Sequence, residues 1–367
     1  RLGGSGLKAQ VNMTNSDEHP VEWDSGTAYD FFASLHVLHR AERYGLRGSW
    51  AAGVRSRLPV AARDCLQRVM NVLRPMSGVH ALSGPKDAAA ALAALRAMEP
   101  IERLAALVPD RPEGVKRILR SVAVRGLWRD EDLARIIAPM QKGEWLNQPL
   151  AIVRKEAAEL LDLWADPVGS ADGLLAALEC YHESFFEEEE ARIRPALDAA
   201  LTRAQELATR LPQPALLEEL SQGVRLAPEQ ANAPLVLAPS FWITPFVVIT
   251  DLAGGKKLFL FGARPDDVSL VPGEYVPDAL HQALKALSEP TRLRILRYLT
   301  DEPMAPADLA RRLRLRPPTV IHHLDALRLA RLVNVILGDN GRRYAARPGG
   351  AAAVFQLLND FLEGQED

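Results

Sequence analysis

The sequence predicts a mainly α chain. A helical N-terminal domain covers about 13–222, and a small antiparallel β-hairpin or sheet with a linker covers 223–276. A compact helical module closed by its own hairpin covers 277–348, and a last helix covers 349–367. Three observations carry this. Apolar residues recur at helical spacing through the first 220 or so positions. A Val-, Ile-, Phe- and Trp-rich texture follows at 235–261, with Gly254-Gly255 inside it. Near the end, Asn340-Gly341 sits between two short strand-like runs. At 367 residues the chain exceeds the usual ~100–200 per domain, so two or three domains are expected.

Residues 1–12 hold no apolar signal core and read as additions ahead of a native start at Met13. Residues 20–24 suit a short strand or extended arm. From Ser25 to Tyr44, Phe31, Phe32, Leu35 and Leu38 fall at helical spacing. Helices are then predicted over 58–73, 86–97, 99–107, 112–120, 130–139 and 149–163, punctuated by Pro, Gly and Asp. A long helix from Asp172 is expected to break near Ile193, ahead of Pro195, and 215–222 reads as a short helix. Leu235–Ile249 and Lys257–Phe261 read as an antiparallel hairpin, with Val224–Ala227 as its third strand. Pro239 and Pro245 imply an edge, a bulge or a break there. Residues 264–276 read as a linker.

The C-terminal module resolves into steps. Leu280, Leu284 and Leu287 stripe one helix. Ser288 and Pro290 stop it and start the next, in which Leu293, Leu296 and Leu299 point inward. Pro306–Leu313 is a third helix, and Pro317-Pro318 opens a fourth, running to about Arg331. Val333–Leu337 and Arg342–Ala346 form a hairpin around Gly338-Asp339-Asn340-Gly341. Helices, a reading helix and a basic hairpin, in that order, make a winged helix-turn-helix. A rod of that diameter fits the major groove of double-stranded DNA, and the hairpin reaches the backbone or minor groove. Val320, Leu324 and Leu327 anchor the fourth helix, turning Thr319, Ile321, His322 and Asp325 outward. The candidate contacts are Arg316, Pro318, Thr319, Ile321, His322 and His323 on this helix and Asn340, Arg342 and Arg343 in the wing. His323 also reads as a partly covered packing residue.

Charge supports the same end of the chain. From Asp278 to Pro348 stand 13 Lys and Arg against 7 Asp and Glu, whereas the whole chain carries −3. A basic module on an acidic body suits one end that meets phosphate. Two distant cysteines give neither a disulfide framework nor zinc spacing, which fits a reducing cytoplasm. No continuous apolar run is long enough for a membrane span.

The segments ALKALSEPTRLRILRYL, PADLARRLRL, PPTVIHHLDALRLARLV and GDNGRRY resemble the arsenical-resistance-repressor (ArsR) family of winged-helix regulators, over about the last 90 residues. The resemblance implies a dimeric transcription regulator, a repressor, on a near-palindromic operator. Its dimer contacts would come from Leu280–Leu287 and Ala351–Leu362. Three departures stand out: Arg316-Pro317 where a Ser-Gln-like pair normally enters the reading helix, Ile321 where Ser is common, and no Cys in Met304–Leu309. The last excludes thiolate sensing of soft metals there. The long extension ending in FFEEEEARIRPAL is similar to a subgroup with large N-terminal extensions, which implies an unknown small-molecule or protein effector and a shift between operator-competent and incompetent states.

In 13–275 no phosphate loop, nucleophile elbow or Cys-His metal spacing occurs, so no cofactor and no enzyme are expected. His36 and His39 form an incomplete ligand pair, and Glu179–His182 supplies one of the two Glu-x-x-His motifs a di-iron bundle needs. Glu187–Glu190 reads as a solvated face. Trp145, Trp164, Tyr181, Phe185, Phe186, Phe241 and Trp242 read as core or as the lining of an apolar pocket. Two alternatives stay open: an enzyme with an accessory winged helix, and a protein-interaction scaffold.

Overall fold

The structure, a computed structural model, describes residues 21–73, 75–108, 113–140, 150–226, 233–338 and 341–363. Met13 and Trp145 lie outside the described residues. The chain is mainly α with small sheets.

Helix α1 (Thr27–His39) is apolar on nearly every side, and the chain wraps it accordingly: Phe31, Leu35 and Leu38 are fully buried. Around it stand α2 (Gly48–Ser56), α3 (Val60–Val69), α4 (Met76–His80), α5 (Ala88–Ala97), α6 (Pro100–Leu107), α7 (Glu113–Arg125), α8 (Asp130–Met140), α9 (Leu150–Ala165) and α10 (Pro167–Tyr181). Neither α2 nor α4 was expected; both are short and contain Gly and Ser. A π-helical turn (His182–Phe186) leads into α11 (Glu187–Ala208), and α12 (Gln213–Leu220) follows. The expected break at Ile193 is absent. Pro195 lies on the exposed side of α11, where water can satisfy the carbonyl its missing N–H frees, while buried Ile193 and Leu197 hold the opposite side.

The aromatic residues form core. Phe31 packs edge-on against Phe186 at 5.2 Å, and Phe185 against Trp242 at 5.9 Å. Trp164 is buried too. Of the four acids expected to be solvated, Glu189 is buried, accepting from Trp242 Nε1 at 3.0 Å and from Arg192. Helical phase explains this, because Glu189 shares a stripe with Ile193 and Leu197. Asp30 is fully buried and accepts from Ser240 Oγ (2.7 Å) and from the amides of Trp242 (2.8 Å) and Phe241 (3.2 Å). Burial pushes its carboxyl up to about 7 despite those bonds.

The four-stranded sheet corrects the simple hairpin. β1 (Glu22–Trp23), β3 (Leu235–Ser240), β5 (Lys257–Gly262) and β4 (Val248–Asp251) lie in the order β1-β3-β5-β4. Only β4–β5 is antiparallel, around Gly254-Gly255; β3 runs parallel to both β1 and β5. All six residues of β3 are buried, as expected of a parallel strand covered on both faces. Pro239 is tolerated because β3 bonds β5 through its even-numbered residues, Pro234 O and Ser240 O among them. Its missing N–H faces the other way, past the end of the two-residue β1.

Of Val224–Ala227, expected beside that hairpin, Ala227 lies outside the described residues and the other three belong elsewhere. β2 (Val224–Leu226) pairs in parallel with β6 (Val333–Gly338), which pairs antiparallel with β7 (Gly341–Ala346). The order β2-β6-β7 thus unites the body with the C-terminal hairpin. The remaining helices are α13 (Asp278–Leu287), α14 (Pro290–Asp301), α15 (Pro306–Leu313), α16 (Pro317–Leu329) and α17 (Gly350–Glu363). Their core holds Ile295, Leu299, Leu309, Val320, Leu324, Leu327, Val333 and Tyr344. Leu280 is buried as expected, but Leu284 and Leu293, expected inward, are 40% and 47% exposed, and Ala283 and Ala286 complete the buried face of α13. The predicted linker is stapled down. Buried Arg264 donates to Asp278 Oδ2 at 2.6 Å, and Leu270 is fully buried.

Candidate nucleic-acid interface

Helix α16 is placed by its apolar face. Val320, Leu324 and Leu327 are completely buried in the module core. Helical geometry then sets Pro318, Ile321, His322 and Asp325 on one outward stripe. Pro318, Thr319, Ile321 and His322 are exposed, as is Arg316 at the N-cap. Ile321 is 39% exposed, beside exposed His322.

The stripe does not stay open along its whole length. Asp325 is half-buried, and Arg328 and Leu329 beyond it are covered. Asp325 differs here from the outward position expected of it. Burial raises its carboxyl, and Arg43, Arg342 and His322 pull it back. The cover is the helical body. α16 packs on a 3-10 helix at Ala41–Tyr44, and Arg328 donates to the carbonyls of Ser221 (2.6 Å), Gln222 (2.8 Å) and Pro245 (3.0 Å). Its guanidinium, pressed by burial and by Arg347 and Arg331 nearby, falls to about 10 and keeps its proton at neutral pH.

The start of α16 is unusual. Pro317 and Pro318 occupy its first two positions, and Arg316 caps it without a side-chain bond. Two of the amides that would normally be left unpaired at a helix N-terminus are therefore missing. An anion meeting this end finds the Arg316 and Thr319 side chains rather than a cradle of N–H groups.

His323 turns away from the stripe. Its side chain is 14% exposed and faces Glu289 Oε2 at 3.5 Å, and burial lowers its pKa so that it is neutral at pH 7. Glu289 caps α14, accepting from the Arg292 amide at 2.8 Å. In the hairpin, Arg342 and Arg343 are exposed, and Arg343 donates to Pro303 O at 2.5 Å. Asn340 lies outside the described residues. Arg316, Pro318, Thr319, Ile321, His322, Arg342 and Arg343 are all exposed; Arg342 lies near Asp325 of the stripe, Arg343 alternates to the other face of β7, and His323 is turned to Glu289. Sequence reasoning missed Arg328 as an anchor; its helical phase, two turns beyond Ile321, carried no sign of a partner.

Other candidates dissolve into structure. The His36 ring packs edge-on to Tyr44, and His39 Nδ1 contacts Leu35 O at 2.8 Å. Glu179 pairs with Arg96, whereas His182 sits 4.0 Å from Glu190. Among the described residues no group of three or more His, Cys, Asp or Glu is arranged to hold a metal. A groove of about 740 Å³ opens between α3, α9 and α10, lined in part by Cys65, Cys180, Arg68 and Asp162.

Two helices joined by a short turn, the second half-free and followed by a basic hairpin, define a helix-turn-helix protein. The family model of a helix-turn-helix domain matches residues 287–336, which takes in α14, α15 and α16 and enters β6. No curated protein and no solved structure matches the chain. No helix among the described residues is long and apolar enough to cross a membrane.

Proposed function

We propose that this protein is a sequence-specific DNA-binding transcription regulator of the winged, ArsR-like kind. It acts as a dimeric repressor in the cytoplasm and answers to an effector bound by its helical body. One observation carries the reading: the same helix that buries Val320, Leu324 and Leu327 leaves Thr319, Ile321 and His322 bare, with Arg316 at its N-cap and Arg342 near Asp325. His322 and Thr319 can donate to base edges or phosphate, Ile321 can pack on a thymine methyl, and the arginines suit phosphate or a narrow minor groove. His323, half turned to Glu289, then supports the helix instead of touching bases.

Dimerisation is supported by apolar surface on the two helices the ArsR resemblance implicates. Leu284 of α13 and Phe355 and Leu362 of α17 are 40%, 58% and 70% exposed. The groove between α3, α9 and α10 is a suitable place for an effector, concave and walled by helices on three sides. Selection of duplexes from a random pool by the purified protein, followed by mobility shift, tests the proposal. A recovered, near-palindromic motif bound by two copies is the expected result. Failure to retard any duplex at low salt would sink it.

A further inference from the structure

The body does more than carry the module; it borders the stripe that reads DNA. The 3-10 helix Ala41–Tyr44 lies against α16, where the exposed part of the stripe ends. It is fixed from both sides. The Tyr44 ring packs edge-on to Phe246 of the body at 5.2 Å, and Gln282 of α13 donates to Gly45 O at 3.0 Å. Gly45, at φ 72°, turns the chain sharply there. The parallel pairing of β2 with β6 and the three bonds from Arg328 hold the same joint. This short helix therefore keeps a set position relative to the reading helix.

Arg43 projects from it. It is exposed, and among the described residues it has no ion-pair partner, whereas Arg47 is held by Glu274 and Arg40 by Asn71. Its charge is near enough to act on Asp325 and on Tyr344, as is that of Arg342 from the hairpin. Two cations from different parts of the chain thus flank the one carboxylate on the stripe. Alone, that carboxylate would repel a phosphate. Arg43 and Arg342 together outweigh that one charge, and with exposed Glu42 counted the four side chains are neutral rather than repulsive. The ligand this suits is the sugar-phosphate backbone of a duplex seated on α16, and the contact adds affinity without reading bases.

We propose that Arg43, a residue of the helical body, grips a phosphate of the same duplex that α16 reads, so that body and module form one nucleic-acid surface. This rests on the DNA-binding reading above and extends it to the body.

The test uses the full-length protein and fluorescence anisotropy on two duplexes, one selected from the random pool and one of scrambled sequence, at several KCl concentrations. Arg43→Gln is compared with Arg43→Lys and with Arg117→Gln, which makes the same charge change at an exposed position on α7. Arg43→Gln is expected to weaken both duplexes alike, by about fivefold near 100 mM salt, and to flatten the log–log salt slope by about one unit. Arg43→Lys restores the slope, and Arg117→Gln changes neither quantity. Equal effects of Arg43→Gln and Arg117→Gln would overturn the proposal. So would tighter binding by Arg43→Gln, which would make the body an obstacle instead of a contact. If the unaltered protein bound neither duplex at any salt, the DNA reading itself would fail, and this inference with it.

Discussion

Pro317 and Pro318 decide what kind of contact the reading helix can make. On the proposed DNA-binding reading, the loss of two amide donors shifts contact with phosphate and base onto side chains, above all Arg316, Thr319 and His322. The DNA reading therefore predicts a contrast between two variants. His322→Ala is expected to cost about 1–3 kcal/mol on the preferred duplex and little on others, relaxing selectivity at one base step. Arg343→Gln is expected to weaken all duplexes similarly and lower the salt slope by about one. Filter binding across a salt series separates them, and identical behaviour of the two variants would contradict the assigned roles. A second residue-scale prediction concerns Asp30. Its ordinary value is 3.8 and its folded value about 7, so between those values the folded chain keeps a proton that the unfolded chain has lost. Its contribution to stability is full below about pH 4, declines as pH rises towards 7 and is flat above. Asp30→Asn cannot ionise, so its melting temperature relative to the unaltered protein should climb between pH 4 and pH 7. A constant offset over that range would show that Asp30 does not titrate there.

Among the elements, the least expected is the edge that β2 gives to β6. It depends on the turn before it. Gly223 has φ 108° and donates to Glu218 O at 2.9 Å, while its own carbonyl accepts from Val335 N at 2.8 Å. A Cβ there would meet Asn334 Oδ1 at 2.2 Å. Gly223→Ala should thus lose about 1–3 kcal/mol in denaturant unfolding, from strained backbone and a displaced Asn334. An effect within a few tenths would mean the turn relaxes freely. Much of the C-terminal module was legible because its signals are local. Proline pairs, the i, i+4, i+7 spacing of Val320, Leu324 and Leu327, and Asn340-Gly341 each act within one or two turns of chain. The pairing of Val224 with Val335 was not, because three apolar-rich residues fit either sheet and nothing nearby names the partner. The parallel order of β3 and β5 was hidden likewise, since an apolar run reads the same in either direction. Glu189 and Arg328 went unseen as anchors because a charged side chain on a helix gives no hint of the buried indole or the carbonyls awaiting it.

At the scale of the whole molecule, the acidic body and the basic module are bound together more firmly than their opposite charges suggest. A shared sheet, the Arg328 clamp, the Arg264–Asp278 pair and the bond from Asn334 to Glu218 all cross between them. Separate units joined by a loose tether would melt separately. Here calorimetry should show one cooperative transition, with tryptophan fluorescence, all six indoles lying before the C-terminal module, and circular dichroism of the helices falling together. Two resolved transitions would mean that these bonds do not couple the parts.

The shared sheet also orders events in time. Val224–Leu226 leaves the ribosome long before Val335–Leu337 exists to lie beside it, and parallel partners far apart in sequence come together late. A nascent or prematurely ended chain therefore presents a short, unsatisfied strand edge, the kind of surface that chaperones cover and that neighbouring copies can join. Competence to hold a duplex would then belong only to chains translated almost to their last helix.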